Sequence, residues 1–288
     1  MTALQVQAFG RLRLQHDGHV VTSFPTHHVE ELLAYLLLNP QVRHSREKLI
    51  TILWPESQPE KARGRFSTTL WRLRAVLDDL GLPAQTYLQT SRDWVALVPA
   101  EPIQMDLYQF EECLTRARFA TDAGHEQALS AAVCIYRGEL LEGIYADWCL
   151  LERERLARLH LRALGQLMAG CMQRQAYAEA VDLGQAIVQE DPLREEVHRA
   201  IMHCYRHMGL PAQAARQFHL CAQGLMEELQ VLPMPETISL YQQIIAERLQ
   251  QAQAKTTPAS PLQGQLKAAF AEFQRAGRKL NSLLHAAE

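Results

Sequence analysis

Between Ser57 and Leu77, in SQPEKARGRFSTTLWRLRAVL, cations and hydroxyls gather at spacings that suit binding to phosphates and base edges. Ala62, Phe66, Leu70, Leu73 and Leu77 follow one another at steps of four, four, three and four, which sets them on one stripe of a helix with about 3.6 residues per turn. Lys61, Gly64, Arg65, Thr68, Trp71 and Arg72 fall on the opposite side, with Arg63, Ser67 and Arg74 on the flanks. Ser57 and Glu60 have the spacing of a capping box, and Pro59 is tolerated in a first turn whose amides have no helical partner. A solvated amphipathic helix would carry the same pattern, so the neighbouring residues must decide between the two. Arg43, Arg46 and Lys48 precede the stretch and Arg92 follows it, which adds cations able to meet a phosphate backbone. The candidate contact set is therefore Arg43, Arg46, Lys48, Lys61, Arg63, Arg65, Ser67, Thr68, Trp71, Arg72 and Arg92.

Other chemistry finds less support. His203 and His207 are one helical turn apart near Cys204, but His198 lies about 140° around the helix, so three metal ligands do not converge. Glu195-Glu196 with Arg194 and Arg199 reads as a solvated face with pairs one turn apart. Gly-x-x-x-x-Gly-Lys, Gly-x-Gly-x-x-Gly and Gly-x-Ser-x-Gly do not occur, so phosphate loops and nucleophile elbows are unsupported. Trp54 and Trp148 read as core aromatics at helix crossings. No catalytic residue, metal site or cofactor is expected.

The chain has 288 residues, 48% hydrophobic and 21% charged, which is ordinary globular composition. Its net charge of -3 hides an asymmetry: residues 1–100 hold 11 Lys+Arg against 9 Asp+Glu, and residues 41–74 hold 8 against 3. A local basic face is what phosphate binding requires. The six cysteines all lie after residue 100 with no Cys-x-x-Cys pair, which reads as reduced core thiols of a cytoplasmic protein. No apolar run approaches the roughly 20 residues of a membrane span, and no charged-then-apolar leader opens the sequence, so neither membrane insertion nor secretion is expected.

The elements that would position the basic stretch can be read on either side of it. Leu4–Leu14 alternates loosely, and Asp17-Gly18 supplies a hairpin turn into Val20-Val21. Val29, Leu32, Leu33, Leu36 and Leu37 mark a first helix that ends at Asn39-Pro40, and a second starts from an N-cap at Ser45 and stops before Pro55. After the basic helix, 87–90 and 94–98 read as strands around a Ser91-Arg92-Asp93 turn. Strands, three helices and a terminal hairpin make a winged helix-turn-helix whose third helix is the reader. From Asp106 onward helices at about 106–137 and 147–173 lead into an internal period: residues 175–180 align with 209–214, and Leu167 with Ile201, at an offset of 34. That is the tetratricopeptide period. The expected fold is mainly α: a winged helix at 1–100 (α+β), tetratricopeptide-like helices at 101–250, a polar linker at 251–261 and an extra helix at 262–288. In that last stretch Leu266, Phe270, Phe273, Gly277, Leu280 and Leu284 alternate at four and three, a seam able to dock on the repeats or pair with another copy.

Over about residues 4–250 the chain resembles the SARP-type bacterial transcriptional regulators, which join an OmpR-like winged helix to a helical bacterial transcriptional activator domain. The resemblance rests on Ser45-Arg46-Glu47-Lys48-Leu49-Ile50 through Leu53-Trp54-Pro55, Ala62-Arg63 leading to Trp71-Arg72-Leu73-Arg74, and Asp106-Leu107-Tyr108-Gln109-Phe110-Glu111. It continues in Tyr136-Arg137-Gly138-Glu139-Leu140-Leu141, Trp148 with Glu152-Arg153-Glu154-Arg155-Leu156, and Asp191-Pro192-Leu193-Arg194-Glu195. It implies binding to direct repeats in promoter DNA and contact with RNA polymerase, with the helical domain also a surface for self-association as a homodimer or a DNA-induced oligomer. Three positions depart from the pattern: His27-His28 stands where Arg or Lys is usual, Gly64 where a larger polar residue is usual, and Ser91-Arg92-Asp93 replaces a Gly-containing wing turn. Two functions of different class fit: a sequence-specific DNA-binding regulator, favoured by the basic face, and a helical-repeat adaptor without DNA binding.

Overall fold

The computed structural model describes residues 3–255, leaving aside the side chains of residues 122 and 251–255. The helix expected at 262–288, and the linker beyond residue 255, lie outside the described residues.

Strands β1 (Gln5–Gln7), β2 (Arg13–His16) and β3 (His19–Val21) form an antiparallel meander. Its hairpin turns at Asp17 (φ 44°) and Gly18 (φ 84°) between the paired His16 and His19, the left-handed geometry that two-residue hairpins favour. Next come α1 (His27–Leu38), α2 (Arg46–Leu53), α3 (Pro59–Asp79) and the one-turn α4 (Ala84–Tyr87). Buried Val29, Leu32, Leu33, Leu36 and Leu37 of α1 pack into the core that holds Ala62, Phe66, Leu70, Leu73 and Leu77 of α3. Both apolar stripes thus meet as their spacing requires. Ser45 caps α2, its hydroxyl accepting from the Lys48 amide at 3.1 Å. Strands β5 (Leu88–Thr90) and β6 (Trp94–Leu97) make the hairpin, and the two-residue β4 (His44–Ser45) pairs with β6, giving the order β4-β6-β5. This is a winged helix-turn-helix.

The start of α3 corrects the expected capping box. Gln58 is the N-cap and Pro59 the first helical residue, with no side-chain cap. Proline's fixed φ and missing amide suit that first position, which moves the boundary past Ser57. The Ser57 hydroxyl instead accepts from Arg65 at 3.2 Å.

After the wing, β7 (Gln104–Met105) joins the first sheet parallel to β1. Asp106 then opens α5 (Asp106–Phe119), its carboxylate accepting from the amides of Ala8, Phe9 and Leu107. Helices α6 (Asp122–Ile135), α7 (Asp147–Gln173) and α8 (Tyr177–Glu190) complete a compact unit that runs through Asp191. One hydrophobic core runs through it from Leu4 to Leu156 without a break near residue 100. Arg153 pins the α6–α7 loop by donating to the carbonyls of Leu140 (3.0 Å), Leu141 (3.0 Å) and Ile144 (3.1 Å).

A second compact unit begins at Pro192 and holds α9 (Glu195–His207), α10 (Pro211–Leu229) and α11 (Pro235–Lys255). The 34-residue period recurs in local detail. The turn between α7 and α8 has Gln175 at φ 62° with the Ala176 amide donating to Cys171; the turn between α9 and α10 has Gly209 at φ 69° with the Leu210 amide donating to Tyr205. Ala180 and Ala214, at the same offset, are both fully buried where helices approach closely. The solvated face expected at Glu195 is corrected: Glu195 is buried, its carboxylate accepting from the Met234 amide, while Arg199 donates to Thr237. His198 uses both ring nitrogens, on the Pro192 carbonyl (3.0 Å) and the Gln217 side chain (2.8 Å).

Candidate nucleic-acid interface

The buried stripe of α3 fixes which side of the helix meets solvent. Lys61, Arg63, Gly64, Arg65, Ser67, Thr68 and Trp71 are exposed and Arg72 is half-buried; Trp71 retains 67% of its accessible surface. A large aromatic held out at that level is costly to hydrate, and its place among cations is consistent with a surface that is covered when the protein works.

The hydroxyls of this face are internally bonded. Ser67 donates to the Arg63 carbonyl at 3.1 Å and Thr68 to the Gly64 carbonyl at 3.2 Å, the back-bonding open to Ser and Thr within helices. At Gly64 an added Cβ would meet nothing within 4 Å, so the helix backbone is bare there. Lys61 and Arg72 make no hydrogen bond or ion pair among the described residues, and neither does Arg92 at the tip of the hairpin. These three cations are free to bind an anion.

The other candidate cations have partners. Arg63 lies 3.5 Å from Glu47 across two exposed side chains, a pair that solvent weakens, and Arg65 donates to Ser57. Arg43 lies over the Trp94 ring at 4.6 Å, and the Lys48 ammonium sits 5.9 Å from the Tyr35 ring. Arg46 is the most committed. Its Nε donates to the Ser91 carbonyl at 2.9 Å, its amide donates to the Asp93 carbonyl, and its guanidinium lies 5.8 Å from the Phe66 ring. It ties α2, α3 and the wing turn together, leaving only its terminal nitrogens for a ligand.

The wing turn forms without glycine because Ser91 substitutes for it. The Ser91 hydroxyl accepts from the amides of Asp93 (3.2 Å) and Trp94 (3.1 Å), and none of residues 91–93 has a positive φ. Trp94 thus bonds to the serine side chain, which leaves the Ser91 carbonyl for Arg46. Arg74, on the flank of α3, donates to the Thr90 hydroxyl at 2.7 Å and fastens the hairpin to the helix. Sequence reasoning saw Arg74 only as a flanking charge; its one signal was its place near the buried stripe.

At the start of α1 the two histidines differ. His28 stacks on Trp54, ring centroids 4.8 Å apart, and burial together with neighbouring His27 and Arg65 lowers its pKa. It adds no charge near neutral pH. His27 reaches to 3.8 Å from Glu31. Burial also lowers His44, the first residue of β4.

The family profile of the bacterial transcriptional activator domain matches residues 105–245. The regulatory protein AfsR of Streptomyces coelicolor is 29% identical over 99% of this chain and 29% of its own length. AfsR of Streptomyces griseus is 28% identical over 84% of the chain and 24% of its own length, so the chain spans less than a third of either. The transcriptional regulatory protein MoaR1 of Mycobacterium tuberculosis is 25% identical over 84% of this chain and 79% of its own. The solved structure of Mycobacterium tuberculosis EmbR in complex with a low affinity phosphopeptide superposes with a TM-score of 0.67. It covers 96% of this chain and 72% of that one at 19% identity, which shows a shared fold. No helix among the described residues is long and apolar enough to cross a membrane. Residues 105–245 match the bacterial transcriptional activator domain, and over most of its length the chain is similar to proteins described as regulatory or transcriptional regulatory proteins.

Proposed function

We propose that this protein is a sequence-specific DNA-binding transcriptional regulator, an activator that lays the outer face of α3 in the major groove and sets Arg92 of the wing against the backbone. The observation that carries the reading is that Lys61, Arg72 and Arg92 have no partner among the described residues, together with the bare backbone at Gly64. Cations with no internal partner lose nothing when they turn to phosphate or guanine, and a helix without a side chain at its crown can come close to base edges. One winged helix reads few base pairs, so two protomers occupy direct repeats about 10–11 base pairs apart on one DNA face. The helical domains meet RNA polymerase or a second protomer, and the protein works in the cytoplasm by binding and not by catalysis.

The test is a titration with DNA from promoter regions at several salt concentrations. With four to six phosphates neutralised per protomer, the affinity falls with a log–log slope of about -0.9 per phosphate. Five base pairs inserted between half-sites move the second to the opposite face and abolish paired binding. A salt-independent complex, or paired binding unaffected by the insertion, would turn the reading toward a helical-repeat adaptor.

A further inference from the structure

The outward face of the first sheet is built of amides and a cation. Val6, Leu14 and Met105 are buried in the core, so their neighbours along each strand point the other way. Strand pairing sets Gln5 level with Gln15 and with Gln104, and Gln7 level with Arg13. An outward sheet face is ordinarily open to water on its whole breadth. This one has a second wall. Gln109 of α5, Ile135 at the end of α6 and Arg137 just beyond it close over the strands and leave a cavity of about 340 Å³. Its walls come from segments far apart in sequence, all within the compact unit that ends at Asp191.

We infer that this cavity binds a small polyhydroxylated anion, a sugar phosphate or a sugar acid. Arg13 and Arg137, which both line it, have no hydrogen bond or ion pair among the described residues. The carboxylate on its wall, that of Asp106, is committed elsewhere, its oxygens accepting from the amides of Ala8, Phe9 and Leu107. Glu139, two residues past Arg137, pairs with Arg153 at 3.4 Å. Neither arginine is therefore neutralised from within. Two guanidinium forks on one cavity suit a phosphate or carboxylate, which each can grip through paired N–H donors. The five glutamine side chains likewise have no hydrogen-bond partner among the described residues. An amide both donates and accepts, as a sugar hydroxyl does, so this lining matches hydroxyls better than apolar groups. The volume lies at the small end of ligand sites, which suits one sugar unit with its acidic group and not a length of polymer.

The test is calorimetric titration of the full chain with glucose 6-phosphate, ribose 5-phosphate and gluconate, with inorganic phosphate and glucose as references. At least one of the three sugar anions should bind saturably, about tenfold or more tighter than either reference. A preference for the phosphates or for gluconate supports the proposal equally and names the acidic group. Arg13→Gln with Arg137→Gln should weaken that binding about tenfold or more, with the ligand-free unfolding midpoint unchanged because both side chains are exposed. Lys61→Gln with Arg72→Gln, on the outer face of α3, should leave it at the wild-type value, so the outcome is independent of DNA binding. The proposal is overturned if none of the three anions binds, or if inorganic phosphate or glucose binds as tightly as they do. It is overturned equally if the Arg13 and Arg137 variant keeps wild-type affinity, or if the Lys61 and Arg72 variant loses it.

Discussion

Arg46 and Arg72 lie within one winged helix and face different fates. At the seam where α2 meets the wing, Arg46 gives its Nε to the Ser91 carbonyl and its plane to Phe66, and Arg74 ties Thr90 to α3. Arg72 and Lys61 on the outer face, and Arg92 at the tip of the wing, have no partner among the described residues. The difference teaches how to separate cations committed to the fold from uncommitted cations of the same residue type. Charge counts treat Arg46 and Arg72 alike, whereas the fold shapes itself around one and leaves the other without a partner among the described residues.

Leu73→Ala, on the buried side of α3, should have the largest effect. Leu73 is fully buried, so the truncation removes a packed side chain and leaves a cavity, lowering stability by about 2–5 kcal/mol in a denaturant titration. A loss well below that range would mean that the stripe does not anchor the helix, and the comparison between its faces would fail. Arg72→Ala comes next. In folded protein of wild-type stability it should weaken cognate DNA by about 1–3 kcal/mol and relax preference at one base position, with nonspecific affinity nearly kept. Equal loss on both kinds of DNA would reassign Arg72 to phosphate.

Arg46→Ala should show the reverse. Its charged, half-buried hydrogen bond and ring contact are worth about 1–2 kcal/mol of stability, because Ser91 would lose the partner that holds the wing turn. Arg46→Lys should not restore it, since an ammonium lacks the Nε–H of the fork. If Arg46→Ala instead leaves stability intact and lowers DNA affinity as Arg72→Ala does, the distinction between seam and face collapses.

Much of this arrangement was legible from spacing alone, because burial imposes periodicity. The α3 stripe, the Ser45 cap and the Asp17-Gly18 turn all came from local rules and all stand in the structure. Non-local geometry was not legible. The capping box at Ser57 and Glu60 lost to Pro59, whose ring fixed the first helical position one residue after Gln58. Strand β7 is two residues long, too short for alternation, and its partner β1 lies about a hundred residues away. The structural role of Arg46 was not legible, because nothing local announces that Ser91 will use its hydroxyl to close a turn and free its carbonyl for the Arg46 Nε. Glu195 looked solvated because its acceptor role depends on Met234, in a loop 39 residues on.

The smallest effect probes how near the outer face comes to its ligand. Gly64 sits inside α3 with open space where a Cβ would be, so Gly64→Ala costs no clash and trims the freedom of the unfolded chain. Stability should rise by about 0.5–1 kcal/mol, read as a higher denaturation midpoint with an unchanged slope. If Thr68 reaches a base edge or a thymine methyl, the backbone at Gly64 must approach the DNA closely, and a methyl there should oppose the rise in stability with weaker cognate binding. Stability and affinity then move in opposite directions, which no loss of folding can mimic. Should both rise, or affinity stay fixed, the crown of α3 stands off the bases and recognition passes to the longer Arg72 and to Trp71 one turn beyond.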